Sequence, residues 1–330
     1  MFDPGIQGHQ AIRARLADRL AKGQIKGSLM FTGPDGIGKR RVALEFAQRE
    51  LCFRRTACGA CEGCKLFHQD PLPVELPNLL RIAPEGKAGI IKVGVVRDSD
   101  LIEGGVIQWS SLTPPPRCHR WIIIEDAHRL NGAAANLLLK TLEEPPAGTH
   151  FILVTHRPES VIQTIRSRCE RIPFAPLDPA EAWTVARAAG WEDSEREAWT
   201  SLSAGSLRLL QRETFELAKA QLEAWIAIAT GKAFQEASKP LIPDRDSERG
   251  ISEQLRQPLE LLLAILADLG RMRAGAAPAL RPWERAMQPI AQAGRDLVAV
   301  QNAVYDTLRN LARNPAPEPL LRGIALELGS

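Results

Sequence analysis

The sequence is short of several things at once. It has one tyrosine, and aromatic residues make up only 5% of it, so it offers little from which to build stacking platforms for unpaired bases. The formal net charge is +3 over 330 residues, so no strong single-sign field is available to grip nucleic acid unaided. No uninterrupted apolar run reaches the ~18 residues of a membrane span, and the start MFDPGIQGHQ lacks the basic-then-apolar pattern of a signal peptide. These absences argue against a stand-alone DNA-binding protein and against any membrane partner. The expectation is a cytoplasmic protein that, where it works on DNA, does so inside a larger assembly.

Cysteine is scarce but not scattered. Of six, Cys52, Cys58, Cys61 and Cys64 crowd together, while Cys118 and Cys169 stand alone. Disulfides are rare in a reducing cytosol, so this clustering points to metal. The spacing is C-x5-C-x2-C-x2-C, and each C-x2-C step lets two thiolates face one tetrahedral ion. Four sulfurs with no open position predict a structural Zn²⁺ site. His68 is an unneeded fifth candidate.

The length leads one to expect two or three domains. Ile12, Leu16 and Leu20 recur at helical spacing between Gly8 and Lys22. Ser28-Leu-Met-Phe-Thr32 reads as a strand that breaks at Gly33, after which Val42, Leu44 and Phe46 resume a helical pattern. Trp121–Ile124 and Phe151–Val154 read as further strands, and Ala133–Glu144 between them as a helix stopped by Pro145-Pro146. Strands alternating with helices predict an α/β domain with a parallel sheet, reaching to about residue 176. From Asp178-Pro179 onward strand signals stop. The remainder reads as a small helical domain over 177–213 and a helical C-terminal domain over 214–330, with a polar break at Lys239–Arg249. The segment 71–105, with a Gly-containing turn at 85–89 and the run Ile90–Val93, is too irregular to assign.

Gly33-Pro-Asp-Gly36-Ile-Gly38-Lys39 fits G-x-x-x-x-G-K between a strand and a helix, the context a phosphate loop requires. Glycines let backbone N–H groups turn toward phosphate oxygens, and Lys39 supplies a point charge. The hydroxyl that should follow is missing. Arg40 and Arg41 stand there instead, and a guanidinium cannot ligate magnesium. The acidic strand end reads Glu125-Asp126, the reverse of the Asp-Glu order that positions metal and water. ATP bound without turnover, or a loop surviving only as a tight turn, both fit; Mg²⁺ in this site does not.

The run Asn131–Pro146 and the triplet Ser167-Arg168-Cys169 resemble the clamp-loader branch of the AAA+ ATPases, in which a zinc module also interrupts the ATPase domain soon after the phosphate loop. The resemblance implies a P-loop AAA+ domain over 1–176 carrying the zinc module at about 52–64, a lid domain over 177–213 and an oligomerisation collar over 214–330. It implies that Arg168 projects into a neighbour's ATP site as a finger in trans. Thr155 would be the sensor 1 residue and Arg208 the sensor 2 residue, beside Gly33, Gly36, Gly38 and Lys39 around the nucleotide. The partners implied are the motor (gamma/tau) and delta subunits of a hetero-pentameric ring, a sliding clamp, and primed DNA reached through the assembly. A motor subunit of the branch keeps the hydroxyl and the Asp-Glu pair, so the damaged cis site favours the arginine-lending type over an ATP-hydrolysing gamma/tau-like subunit, which stands as the alternative.

Overall fold

The computed structural model describes residues 6–25, 27–84, 89–92, 94, 96, 105–114, 118–244, 250–311 and 316–329. Its residues form two compact units, Met1–Val185 with Gly205–Leu207, and Ala186–Ala204 with Arg208–Ser330.

The first unit is built on a six-stranded sheet: β1 (Ser28–Thr32), β2 (Glu75–Leu76), β3 (Leu79–Ile82), β4 (Arg120–Ile124), β5 (Thr149–Thr155) and β6 (Cys169–Pro173), in the order β2-β3-β4-β5-β1-β6. All neighbours are parallel except β2 on the β3 edge. A parallel strand covered on both faces must be apolar on both, and β1 and β4 are buried at every position. The pleat then sorts side chains by parity. Leu29, Phe31, Trp121, Ile123 and Ile152 pack on one face with Leu16 of α1 (Gln10–Ala21) and Val42, Phe46 and Ala47 of α2 (Lys39–Leu51). Met30, Ile122, Ile124, Phe151 and Leu153 face the other way, onto α4 (Gly105–Ser111), α5 (Gly132–Glu143) and α6 (Gln163–Arg166). Helix α3 (Glu62–Lys65) belongs to the cysteine module.

Helices α1 and α2 are tied by a buried ion pair. Arg13 Nε lies 2.8 Å from Glu45 Oε2, with the two side chains only 2% and 1% exposed. A second donor, NH2, reaches Oε1 at 3.1 Å, and NH1 donates to the Ile6 carbonyl. Removing one partner of such a pair strands a buried charge. Arg13→Met is expected to cost about 3 kcal/mol of unfolding free energy, near the low end because Arg49 stands 3.6 Å from Glu45 and screens the orphan. Urea titration checks this, and Arg13→Met with Glu45→Met together should recover most of the loss.

The second unit is helical, with α8 (Arg196–Ser203), α9 (Arg212–Ala229), α10 (Ile251–Arg273), α11 (Glu284–Gln292), α12 (Leu297–Asn310) and α13 (Pro317–Gly329); α7 (Pro179–Ala188) straddles the boundary. Leu255, Leu259, Leu262, Ile265 and Leu269 of α10 recur at helical spacing and are buried, as are Phe215, Ala218, Leu222 and Trp225 of α9. Buried Asp268 accepts from the backbone N–H groups of Ala279 and Leu280, which anchors the chain beyond α10.

The helices expected at 8–22, 133–144 and from Asp178-Pro179 are present, and Asp178 caps the last by accepting from the Ala180 N–H. Three strands went unseen in the sequence: β2 and β3 inside the segment left unassigned, and β6 directly after the Ser-Arg-Cys triplet. Most of the turn at 85–89, Val93, and residues 245–249 of the polar break lie outside the described residues.

Candidate functional site

The phosphate loop leaves the C-terminal end of β1 and enters α2, so it sits at the carboxyl edge of the parallel strands, where open α/β sheets bind ligands. Two glycines there are obligatory. Gly33 has φ +140°, and a Cβ would lie 2.2 Å from the Phe174 carbonyl oxygen; Gly38 caps α2 at φ +92°. Asp35 accepts from the Gly36 N–H at 2.9 Å, His9 Nε2 lies 2.7 Å from the Ile37 carbonyl, and Leu207 N–H donates to the Gly36 carbonyl at 2.8 Å. The loop is braced from three directions.

Lys39 is 5% exposed and folds onto the loop itself, donating to the carbonyls of Gly33 (2.8 Å) and Pro34. Burial pulls its ammonium down to about 8, against the pull of Asp35 and Asp126 the other way. An amine whose pKa is lower in the folded chain binds fewer protons there than when unfolded, so stability rises with pH between about 8 and the ordinary 10.5. Wild type should therefore gain on Lys39→Met as pH goes from 7.5 to 9.5, by at most about 2 kcal/mol and less where water reaches the ammonium. Paired urea melts at the two pH values check this; equal shifts in both proteins would refute it.

At the end of β4 the acids are already engaged. Glu125 Oε1 accepts from Arg81 Nε (3.0 Å) and NH2 (2.9 Å), and Oε2 lies 3.3 Å from Arg40 NH1. Arg40, which occupies the position of the metal-binding hydroxyl, thus places a guanidinium against the carboxylate that would help hold magnesium or activate water. Thr155 ends β5 in register with Thr32, the residue before the loop, and is fully buried. Its Oγ1 accepts from the Arg157 N–H at 3.0 Å and lies 3.1 Å from His128 Nδ1. The structure so brings together Gly33, Gly36, Gly38, Lys39 and Thr155. Arg208 belongs to the second unit, where NH1 stands 3.9 Å from Glu260.

Arg168 sits elsewhere. It lies between α6 and β6, its side chain one third exposed, with Nε donating to Glu143 Oε2 (2.8 Å) and NH1 to the Thr164 carbonyl (3.1 Å). Its neighbour Cys169 pairs with Ser28, at the N-terminal end of β1. The phosphate loop leaves the other end, after Thr32.

The sulfurs of Cys52, Cys58, Cys61 and Cys64 all lie within 4.8 Å of one another, Cys58 and Cys64 at 4.0 Å. Arg55, Ala57 and Gly59 carry positive φ and wind the chain around this centre. Gly63 presses on the end of α2, where a Cβ would meet the Leu51 carbonyl oxygen at 2.0 Å. Burial opposes the Cys52 thiolate, but N–H groups of Cys58, Thr56 and Arg54 aimed at the sulfur outweigh it and pull the thiol down to about 5. Four sulfurs converging within 4.8 Å of one another fit zinc. Cys118 is apart from the cluster, its thiol donating to the Glu50 carbonyl.

Sequence reading missed Arg81, Glu143, His128 and His156. Arg81 lies in an unrecognised strand and Glu143 was read only as a helix end. The two histidines meet only because β4 and β5 are neighbours.

A parallel sheet with a phosphate loop between β1 and α2, a four-cysteine module after α2 and a helical second unit define a P-loop domain of the AAA+ class. The family model described as DNA polymerase III, delta subunit matches residues 8–178, and the chain belongs to that family. It is 29% identical over 281 residues to the DNA polymerase III subunit delta' of Pseudomonas aeruginosa, covering 85% of this chain and 72% of that protein. The delta' subunit of Bacillus subtilis is 31% identical over 168 residues, 50% of this chain and 46% of the relative. The gamma/tau subunit of Mycobacterium bovis is 32% identical over 183 residues, but these are 53% of this chain and only 28% of that longer protein. No described helix is long and apolar enough to cross a membrane.

Proposed function

We propose that this chain is the delta-prime subunit of a bacterial DNA polymerase III clamp loader, and that Arg168 completes the ATP site of a neighbouring gamma/tau motor subunit. One observation carries the reading. Arg168 adjoins the strand residue paired with Ser28, while the chain's own phosphate loop follows Thr32, about 13 Å away along four residues of strand. A guanidinium at the end of the sheet away from its own phosphate loop supports a role toward another protein's triphosphate.

The state of the chain's own site supports the same division of labour. Arg40 and Arg81 occupy both oxygens of Glu125, so that carboxylate is not open to Mg²⁺ or to an attacking water. ATP held by the loop without turnover is compatible with this arrangement. Residues 177–213, with Arg208 as sensor 2, would act as lid and 214–330 as the collar of a hetero-pentameric ring with motor and delta subunits. The ring would open a sliding clamp and place it on primed DNA. The four cysteines would hold a structural Zn²⁺ that organises residues 52–64.

The test is reconstitution with gamma/tau and delta subunits, followed by DNA-stimulated ATP hydrolysis and clamp loading with wild type and Arg168→Ala. Unimpaired hydrolysis and loading by the variant would overturn the proposal. The intact Gly38-Lys39 pair and braced loop keep a second reading alive, an ATP-hydrolysing subunit of the gamma/tau kind. Calorimetric titration of the isolated chain with Mg-ATP separates the two, since tight magnesium-dependent binding with turnover belongs only to the second.

A further inference from the structure

We propose that Asp126, His128 and His156 form a second metal site, for a divalent ion of the zinc and cobalt class. The site is distinct from the four cysteines and adjoins the nucleotide site, since Asp126 is the second acid of the strand-end pair and His128 contacts Thr155. Asp126 follows Glu125 at the end of β4, His128 lies in the turn after it, and His156 directly follows β5, the neighbouring strand. One nitrogen of each ring and one carboxylate oxygen lie within 4.8 Å of one another. His156 Nδ1 and Asp126 Oδ1 are 3.4 Å apart, and ligands about 2.1 Å from a tetrahedral ion are separated by about 3.4 Å. The imidazoles meet edge to face with centroids 4.4 Å apart, so two nitrogens converge without the rings having to stack.

The surroundings prepare these groups as ligands. Asp126 is held at φ +47°, a left-handed conformation that a non-glycine residue adopts at some cost. His128 Nδ1 lies 3.1 Å from Thr155 Oγ1, and that hydroxyl is itself fixed by the Arg157 N–H. With Nδ1–H donating to the hydroxyl, the lone pair rests on Nε2, the tautomer that metal-bound histidines use. Nε2 is buried and has no hydrogen-bond partner. An ion there satisfies an atom that nothing else in the fold does.

Two imidazoles and a carboxylate select against magnesium, which prefers oxygen, and for borderline ions such as Zn²⁺ or Co²⁺. Three protein ligands leave a coordination position for water or an anion. The carboxylate of Asp126 also feels the charges of Lys39 and Arg129. Those cations weaken the site, so its affinity should fall below that of the four thiolates.

The full-length chain, already carrying one equivalent of zinc, is titrated with Zn²⁺ in chelator-free buffer by calorimetry and equilibrium dialysis. The expected result is a second equivalent, lost or weakened at least tenfold in His156→Ala and in His128→Ala, with the first equivalent and the circular dichroism unchanged. Asp126→Asn provides a third variant should His128→Ala misfold. Co²⁺ added to the one-zinc chain should give weak d–d bands without thiolate charge transfer. A single equivalent in wild type, or a second equivalent that persists in both histidine variants, would overturn the proposal.

Discussion

Under the proposed role in trans, Arg168→Ala is expected to leave the chain folded while lowering single-turnover ATP hydrolysis at the neighbouring site by about 10³-fold to 10⁵-fold. The size follows from what an arginine finger does: it neutralises charge that grows on the transferring phosphoryl group, in a place from which water is excluded. Folding should barely respond, because the Arg168–Glu143 pair is partly exposed on both sides, and such pairs contribute less than about 1 kcal/mol. Arg168→Lys should recover little, since an ammonium cannot reproduce the planar fork. Rapid-quench hydrolysis in the reconstituted assembly reads the effect directly. Equal rates for the two proteins would mean that the guanidinium serves only its bonds to Glu143 and the Thr164 carbonyl.

Removing the zinc ligands should act on structure instead. A structural zinc ion contributes about 10–16 kcal/mol in small zinc modules, and this four-cysteine module has little else to hold it. Between Cys52 and Cys64 the only buried apolar side chain besides cysteine is Ala57, and Phe53 is almost wholly exposed. Cys61→Ser, or chelation of the wild type, should therefore unfold the module locally while the sheet behind it persists. Bound zinc should drop by one equivalent in the variant, and trypsin should cut first at Arg54 and Arg55. A module that stays protease-resistant after the metal is stripped would show that packing of Gly63 on α2 suffices.

What could be read from the sequence was local. The phosphate loop announced itself because its glycines are forced by backbone geometry, and the cysteine module because ligand spacing is fixed by an ion. The missing hydroxyl after Lys39 was equally plain. What could not be read was pairing between distant segments. Arg81 meets Glu125 across β3 and β4, and nothing in Leu79-Leu-Arg-Ile82 marks a strand whose third residue reaches an acid 44 positions on. Strand β6 was hidden because Cys-Glu-Arg-Ile-Pro alternates poorly and ends in proline, which an edge position tolerates. His128 and His156 each look like an isolated ring until the register of β4 on β5 puts them side by side. In each case a sheet joined residues that no periodicity connects.

The placement of Arg168 and the phosphate loop at opposite ends of β1 gives the subunit a polarity. Molecules that stack front to back continue indefinitely, or close on themselves, when both faces are competent. In the proposed role, a member that donates through one face while Arg40 and Arg81 pair with Glu125 on the other would have only one sensible position. Under the proposed function it would stand at the head of a row of motors, starting the series and leaving a seam behind it.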